Sequence, residues 1–161
     1  YPDASRWLAD FPNLIVTRTF AKVHGLAGLR VGYGLSHPAV AELLNRVRHP
    51  FNVNAPAQAA AVAALGDRAH VQRSVEHNRA ELARVSAGLQ ALGLDAIPSV
   101  CNFVTVDLGR PAGPVDQALL QEGVICRAVG NYGLANHLRI SIGLADENDR
   151  LLAALAKVLA P

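Results

Sequence analysis

Apolar positions follow a helical period through residues 67–92 and an alternating period beyond about residue 103, and this change divides the chain. Val71, Val75, Leu82, Val85, Leu89 and Leu92 recur at three, four and seven residues, which predicts one long amphipathic helix over 67–92, ended by Gly93. Ahead of it, residues 13–19 are rich in β-branched and aliphatic side chains and predict a short buried strand. The glycines from Gly25 to Gly34 predict a constrained loop leading into a second strand. Pro38 opens a predicted helix to about His49, where Pro50 stops it. Residues 51–56 read as a loop, and Pro56 starts an alanine-rich helix to Leu65 closed by Gly66. In the later part, 103–108 alternates as a half-buried strand, Gly113 and Pro114 open a helix ending near Gly123, and 124–127 is a strand candidate. Over 138–142, Leu138, Ile140 and Ile142 fall on one face, Arg139 and Ser141 on the other. Asp146 is expected to cap a last helix through Leu159, with Leu151, Leu152, Leu155 and Leu159 inward.

Helices interleaved with strands place the chain in the α/β or α+β class, with the long helix as a bridge between two substructures. Composition narrows the function classes. With 51% hydrophobic and 17% charged residues, the 161-residue chain reads as globular rather than disordered. A net charge of +2 is too balanced to argue for a nucleic-acid or anionic-membrane partner. No apolar run approaches the roughly 20 residues that span a bilayer, and no signal-type apolar core follows Tyr1. Cys101 and Cys126 are the only cysteines and form no Cys-x-x-Cys pair, so a reducing cytoplasm is the expected compartment. The six histidines are scattered without zinc-type spacing, and no metal is expected. The sequence begins at Tyr1 and contains no methionine, as a processed product or a fragment would.

The candidate chemistry centres on a lysine. Lys22 and Lys157 are the only lysines among 15 basic residues. Lys157 reads as a solvated charge at a helix end, whereas Lys22 lies between a strand and a glycine-rich turn. Thr19 lies three residues before it and Arg30 eight after, and Gly25 and Gly28 let the backbone fold back so that they converge. A hydroxyl and a guanidinium can hold a phosphate between them. A lysine in a largely buried site has a depressed pKa, and its neutral amine can attack a carbonyl. Pyridoxal 5′-phosphate (PLP) presents that pair of groups, an aldehyde and a phosphate.

The run Arg18-Thr-Phe-Ala-Lys22-Val-His-Gly25-Leu-Ala-Gly28-Leu-Arg30-Val-Gly32-Tyr-Gly34 resembles the lysine motif of fold-type I PLP-dependent aminotransferases. Within them it is most similar to the histidinol-phosphate aminotransferases. The likeness continues at residues 50–54, at 123–127 and in the Asn136-His-Leu-Arg139-Ile-Ser-Ile-Gly143 block, in collinear order over nearly the whole chain. The resemblance implies an α/β chain with the aspartate aminotransferase-like fold: residues 1–66 as the end of the large PLP domain, and 67–161 as the bridging helix and small domain. It implies that Lys22 bonds the cofactor and moves the substrate's proton, and that Thr19 and Arg30 bind the cofactor phosphate. It implies further that Arg139 grips substrate carboxylates and that Arg127 helps to hold the phosphate of histidinol phosphate. As partners it implies a small-molecule substrate, a missing N-terminal half and a second copy in a homodimer.

The sequence departs from the usual pattern of the subfamily at Ala21, where a serine is common. The family's acid for the pyridine nitrogen, its tyrosine, asparagine and stacking aromatic, and its phosphate cradle all lie upstream of the lysine by more than the 21 residues present. Asp3 and Asp10 read as surface residues. The 161 residues alone are therefore expected not to transaminate. Threonine-phosphate decarboxylases and aromatic aminotransferases share the motif and stay open as alternatives, as does a non-catalytic binding module.

Overall fold

In the computed structural model, residues 3–160 are described. They form two compact units, divided between Ser74 and Val75.

The first unit begins with a short 3-10 turn over Ala4–Trp7, followed by β1 (Ile15–Thr19) and β2 (Gly32–Ser36), which pair antiparallel with Thr19 opposite Gly32. A β-carbon on Gly32 would lie 2.6 Å from the Arg18 carbonyl oxygen, so glycine is required for the strands to approach here. Next come α1 (Pro38–Val47) and α2 (Ala55–Gly66). Their first turns are closed by side chains. His37 Nδ1 accepts the Ala39 amide, and Asn54 Oδ1 accepts the Ala57 amide at 2.8 Å. The core of this unit is small: Phe20, Val31, Ala57 and Ala61, with Leu26, Leu29, Val53 and Ala64 against it.

The long helix is α3 (Arg68–Ala91), and the division between the units falls within it. In the second unit a four-stranded antiparallel sheet has the order β3-β4-β6-β5, from β3 (Asp95–Ile97), β4 (Phe103–Asp107), β5 (Arg127–Val129) and β6 (Leu134–Ser141). Helices α4 (Ala112–Gln121) and α5 (Ala145–Leu159) complete it. Val104, Val106, Leu138 and Ile140 form the sheet's buried face and join Val85, Leu89, Leu119, Leu151 and Leu155 in one core. No helix among the described residues is long and apolar enough to cross a membrane.

The elements follow the hydrophobic pattern, with local corrections. Val85 and Leu89 are fully buried, but Val75 is exposed, because the first part of α3 has no core beneath that face. Strand β5 starts at Arg127 rather than covering 124–127, and β6 begins four residues before Leu138. Strand β3 escapes periodicity because three residues are too few to show a period. The last helix starts from Leu144, not Asp146. Glu147 Oε2 accepts the Leu144 amide at 2.7 Å and Asn148 Oδ1 accepts the Gly143 amide at 3.0 Å, so residues inside the helix do the capping.

Asn148 is the one buried polar residue among those described, and it is fully used. Its amide also donates to Glu81 Oε2 at 2.6 Å and to the Gly143 carbonyl at 3.0 Å. Glu81 is bound in addition by Arg84, which reaches Asp149 and the Ala145 carbonyl as well. The Arg84 hydrogen bond, and after it the Asn148 one, holds the Glu81 carboxyl below its ordinary value of 4.5. A depressed carboxylate stabilises the fold above its unfolded pKa, and that contribution fades as pH falls through the folded value. Glu81→Gln is therefore expected to lose stability at neutral pH and to show a flatter decline below about pH 4.3, measured by urea unfolding across pH. Leu89→Ala should cost about 2–5 kcal/mol by the same measurement, since a fully buried leucine leaves a cavity.

Candidate active site

The first cluster is built on the loop that joins β1 to β2. The Phe20 amide donates to the Val31 carbonyl at 3.2 Å, which continues the strand pairing into the loop and draws residues 19 and 30 to opposite sides of a narrow neck. Above the neck the Gly25 amide donates to the Lys22 carbonyl at 2.8 Å, closing a four-residue turn, and Gly25 takes φ +71°. The Leu26 amide returns to the Phe20 carbonyl at 3.0 Å. Phe20 is buried beneath, with its ring 5.0 Å from that of His24 and 5.8 Å from that of Tyr33.

Three polar side chains rise from this scaffold. Thr19 ends β1. Its Oγ1 accepts the Ala21 amide at 3.0 Å, which leaves the hydroxyl proton free to donate. Arg30 adopts a left-handed conformation at φ 53°, a strained state for a non-glycine residue. One Nη donates to the Ala27 carbonyl at 2.9 Å, and its other donors have no partner among the described residues. Lys22 lies between them in sequence, and its amine has no partner among the described residues. Among the described residues Lys22 is exposed. The small core beneath the loop reaches Phe20 and Val31 but supplies no wall around the lysine.

The second cluster lies in the other unit, on the open face of the four-stranded sheet. Arg139 of β6 is paired with Thr105 of β4 on one side and with Arg127 of β5 on the other, so the two arginines stand side by side across neighbouring strands. Like charges opposite each other destabilise a sheet unless an anion lies between them. The Arg139 guanidinium carbon lies 5.2 Å from the centre of the Phe103 ring, a cation–π contact that orients it. Arg139 Nε is buried and without a hydrogen-bond partner among the described residues. Phe103 and Thr105 extend the candidate set. The sequence marked 103–108 only as a half-buried strand, and the strand register brings Thr105 beside Arg139.

The donors fit a phosphorylated aldehyde in the first cluster, where a hydroxyl, a guanidinium and an unpaired amine rise from one loop. They fit an anionic substrate in the second, where two cations share one face. The model of the family described as aminotransferase class I and II matches residues 3–155. The chain belongs to this family. It is 60% identical over 159 residues to histidinol-phosphate aminotransferase 2 of Pseudomonas fluorescens, and 56% identical over all 161 residues to that of Methylococcus capsulatus. It spans 43% of the length of each. Among solved structures, histidinol-phosphate aminotransferase from Sinorhizobium meliloti in complex with pyridoxal-5′-phosphate superposes with a TM-score of 0.88 at 35% identity, covering 96% of this chain and 43% of that one. The mixed α/β architecture is thus that of the aminotransferase fold.

Because facing arginines repel, Arg127→Thr is expected to stabilise the second unit by about 0.2–1 kcal/mol. Inorganic phosphate is expected to raise the melting temperature of the parent chain, and the variant should lose most of that rise. Thermal unfolding with and without phosphate checks both.

Proposed function

We propose that these residues are the C-terminal part of a PLP-dependent histidinol-phosphate aminotransferase. The enzyme would transfer an amino group between histidinol phosphate and 2-oxoglutarate, giving imidazole-acetol phosphate and glutamate. The observation that carries this is the agreement of two facts. Relatives of that name match the whole chain at 56–60% identity. The same chain presents an unpaired lysine flanked by a threonine and an arginine on one loop, and a facing arginine pair on a sheet. In this reading residues 1–66 end the PLP-binding domain, and 67–161 supply the bridging helix and the small domain. The reading extends to a cytoplasmic homodimer. Exposed Leu43, Val47 and Phe51, on and just after α1, are suited to cover by further protein.

The residues divide the work. The Thr19 hydroxyl and the free donors of Arg30 hold the cofactor phosphate, Arg30 with planar geometry that suits two oxygens. When bound, PLP supplies an aldehyde for the lysine and a ring that draws electrons from the substrate α-carbon. Lys22 would be the residue that carries the aldehyde group of the cofactor. Nζ of Lys22 would take the proton from the substrate α-carbon and deliver it to the carbon that the cofactor brings as its aldehyde, as general base and then acid. Arg139 and Arg127 bind the anionic end of the substrate. One partner of the reaction carries a phosphate and no carboxylate, the other a carboxylate and no phosphate. Two adjacent guanidiniums can accept either.

The test uses a polypeptide of the relatives' full length that ends in these 161 residues. Reduction by borohydride after loading with PLP should attach the cofactor to Lys22. Lys22→Ala should lose the attachment, and transamination of histidinol phosphate with 2-oxoglutarate should fall by about 10³-fold or more. Release of carbon dioxide, or faster turnover of an aromatic amino acid than of histidinol phosphate, would overturn the assigned substrate.

A further inference from the structure

We propose that His70 is a positioning residue for Lys22, holding the backbone from which the reactive amine projects. This rests on the reading of Lys22 as the residue that bonds the cofactor. Nε2 of His70, in the first turn of α3, lies 2.9 Å from the carbonyl oxygen of Val23, 47 residues away in sequence. A carbonyl can only accept, so this contact requires the proton on Nε2. Protonation of the ring leaves that N–H in place, and the contact does not depend on the charge of the histidine. The imidazole is itself anchored at its root, since the His70 amide donates to Asp67 Oδ1 at 2.9 Å.

The position of the held carbonyl gives the contact its meaning. Val23 and His24 are the central residues of the turn closed by the hydrogen bond from Gly25 to Lys22. His70 grips the carbonyl of the first, while the ring of the second lies 5.0 Å from the buried Phe20. The Lys22 carbonyl is thus held by the turn and the next carbonyl, that of Val23, by His70, so the two peptides after Lys22 are each fixed by a hydrogen bond. The lysine side chain itself has no hydrogen bond or ion pair and is exposed, with four rotatable bonds free. Among the described residues nothing along that side chain sets where the amine points, and the fixed coordinate they supply is its backbone. A displaced backbone moves the amine away from attack geometry. Thr19 and Arg30 are held by other contacts, the strand pairing and the Ala27 carbonyl, so loss of the His70 contact should act on the amine and spare the phosphate.

The experiment compares His70→Leu, which removes the donor, with His70→Gln, whose amide nitrogen can take the place of Nε2. Both are made in a polypeptide of the relatives' full length. Covalent loading is followed by the visible absorbance that appears when PLP is added to the apoprotein, and borohydride reduction with peptide mapping identifies the residue attached. H70L should load roughly three- to tenfold more slowly than the parent, the share of one hydrogen bond, and H70Q should stay within about twofold of it. In a Lys22→Ala background, where only non-covalent binding remains, H70L should leave the PLP affinity unchanged. Loading of H70L at the parental rate overturns the proposal. So does an equal loss of affinity in the Lys22→Ala background, which would make His70 a support of the whole loop. If the parent is labelled at a residue other than Lys22, the lysine assignment falls and this inference with it. Should H70L fail to fold, His70→Asn, polar but short of the carbonyl, carries the same expectations.

Discussion

The antiparallel closure of β1 on β2 is the constraint on which the lysine cluster depends. Thr19 and Arg30 are 11 positions apart in the chain, and a free loop of that length would leave them in no fixed relation. Pairing of Thr19 with Gly32, continued by the bond from Phe20 to Val31, gives them a common neck. The closure needs glycine at position 32, where a β-carbon would meet the Arg18 carbonyl. It also needs Phe20 buried under the turn, since the unit's core offers little else to hold the loop down. One hydrogen-bonded neck therefore gives three side chains their positions, and the left-handed backbone of Arg30 is the cost of turning back into β2.

The second unit makes the opposite choice. Its core is broad, with Val85, Leu89, Leu119, Leu138 and Leu155 among its buried members, and the sheet above it can tolerate an unfavourable pair. Arg127 and Arg139 stand side by side on the open face, and Arg139 leaves one donor buried without a partner. Stability alone would select neither feature. A rigid layer of strands keeps the two guanidiniums in a fixed relation, as the proposed binding of an anion would require. The aromatic ring of Phe103 beside Arg139 serves the same end, limiting the guanidinium to few orientations.

Much of the fold was legible in the sequence wherever an element was long enough to show its period. The 3.6-residue recurrence marked α3, and the alternation over 138–142 separated Arg139 from the buried Leu138 and Ile140. Short or atypical features were not legible. β3 is three residues long, and the start of α5 is capped by Glu147 and Asn148 from inside the helix instead of by the acid expected at Asp146. Val75 matches the apolar period of α3 yet is exposed, since a period states which face could be buried and not whether anything covers it.

The site divides along the same line. The sequence by itself determined the chemistry available: a lysine, a threonine and an arginine around a glycine-rich turn, and two arginines in later segments, in the order that marks the family. Those are properties of residue type and short spacing, which a linear string carries in full. Only the tertiary structure decided that Arg127 is a lateral neighbour of Arg139, that Phe103 supports it, and that His70 grips the carbonyl next to Lys22. These contacts join residues 12, 36 and 47 positions apart, and their formation depends on strand register and helix placement, which follow from packing of the whole and leave no local signal.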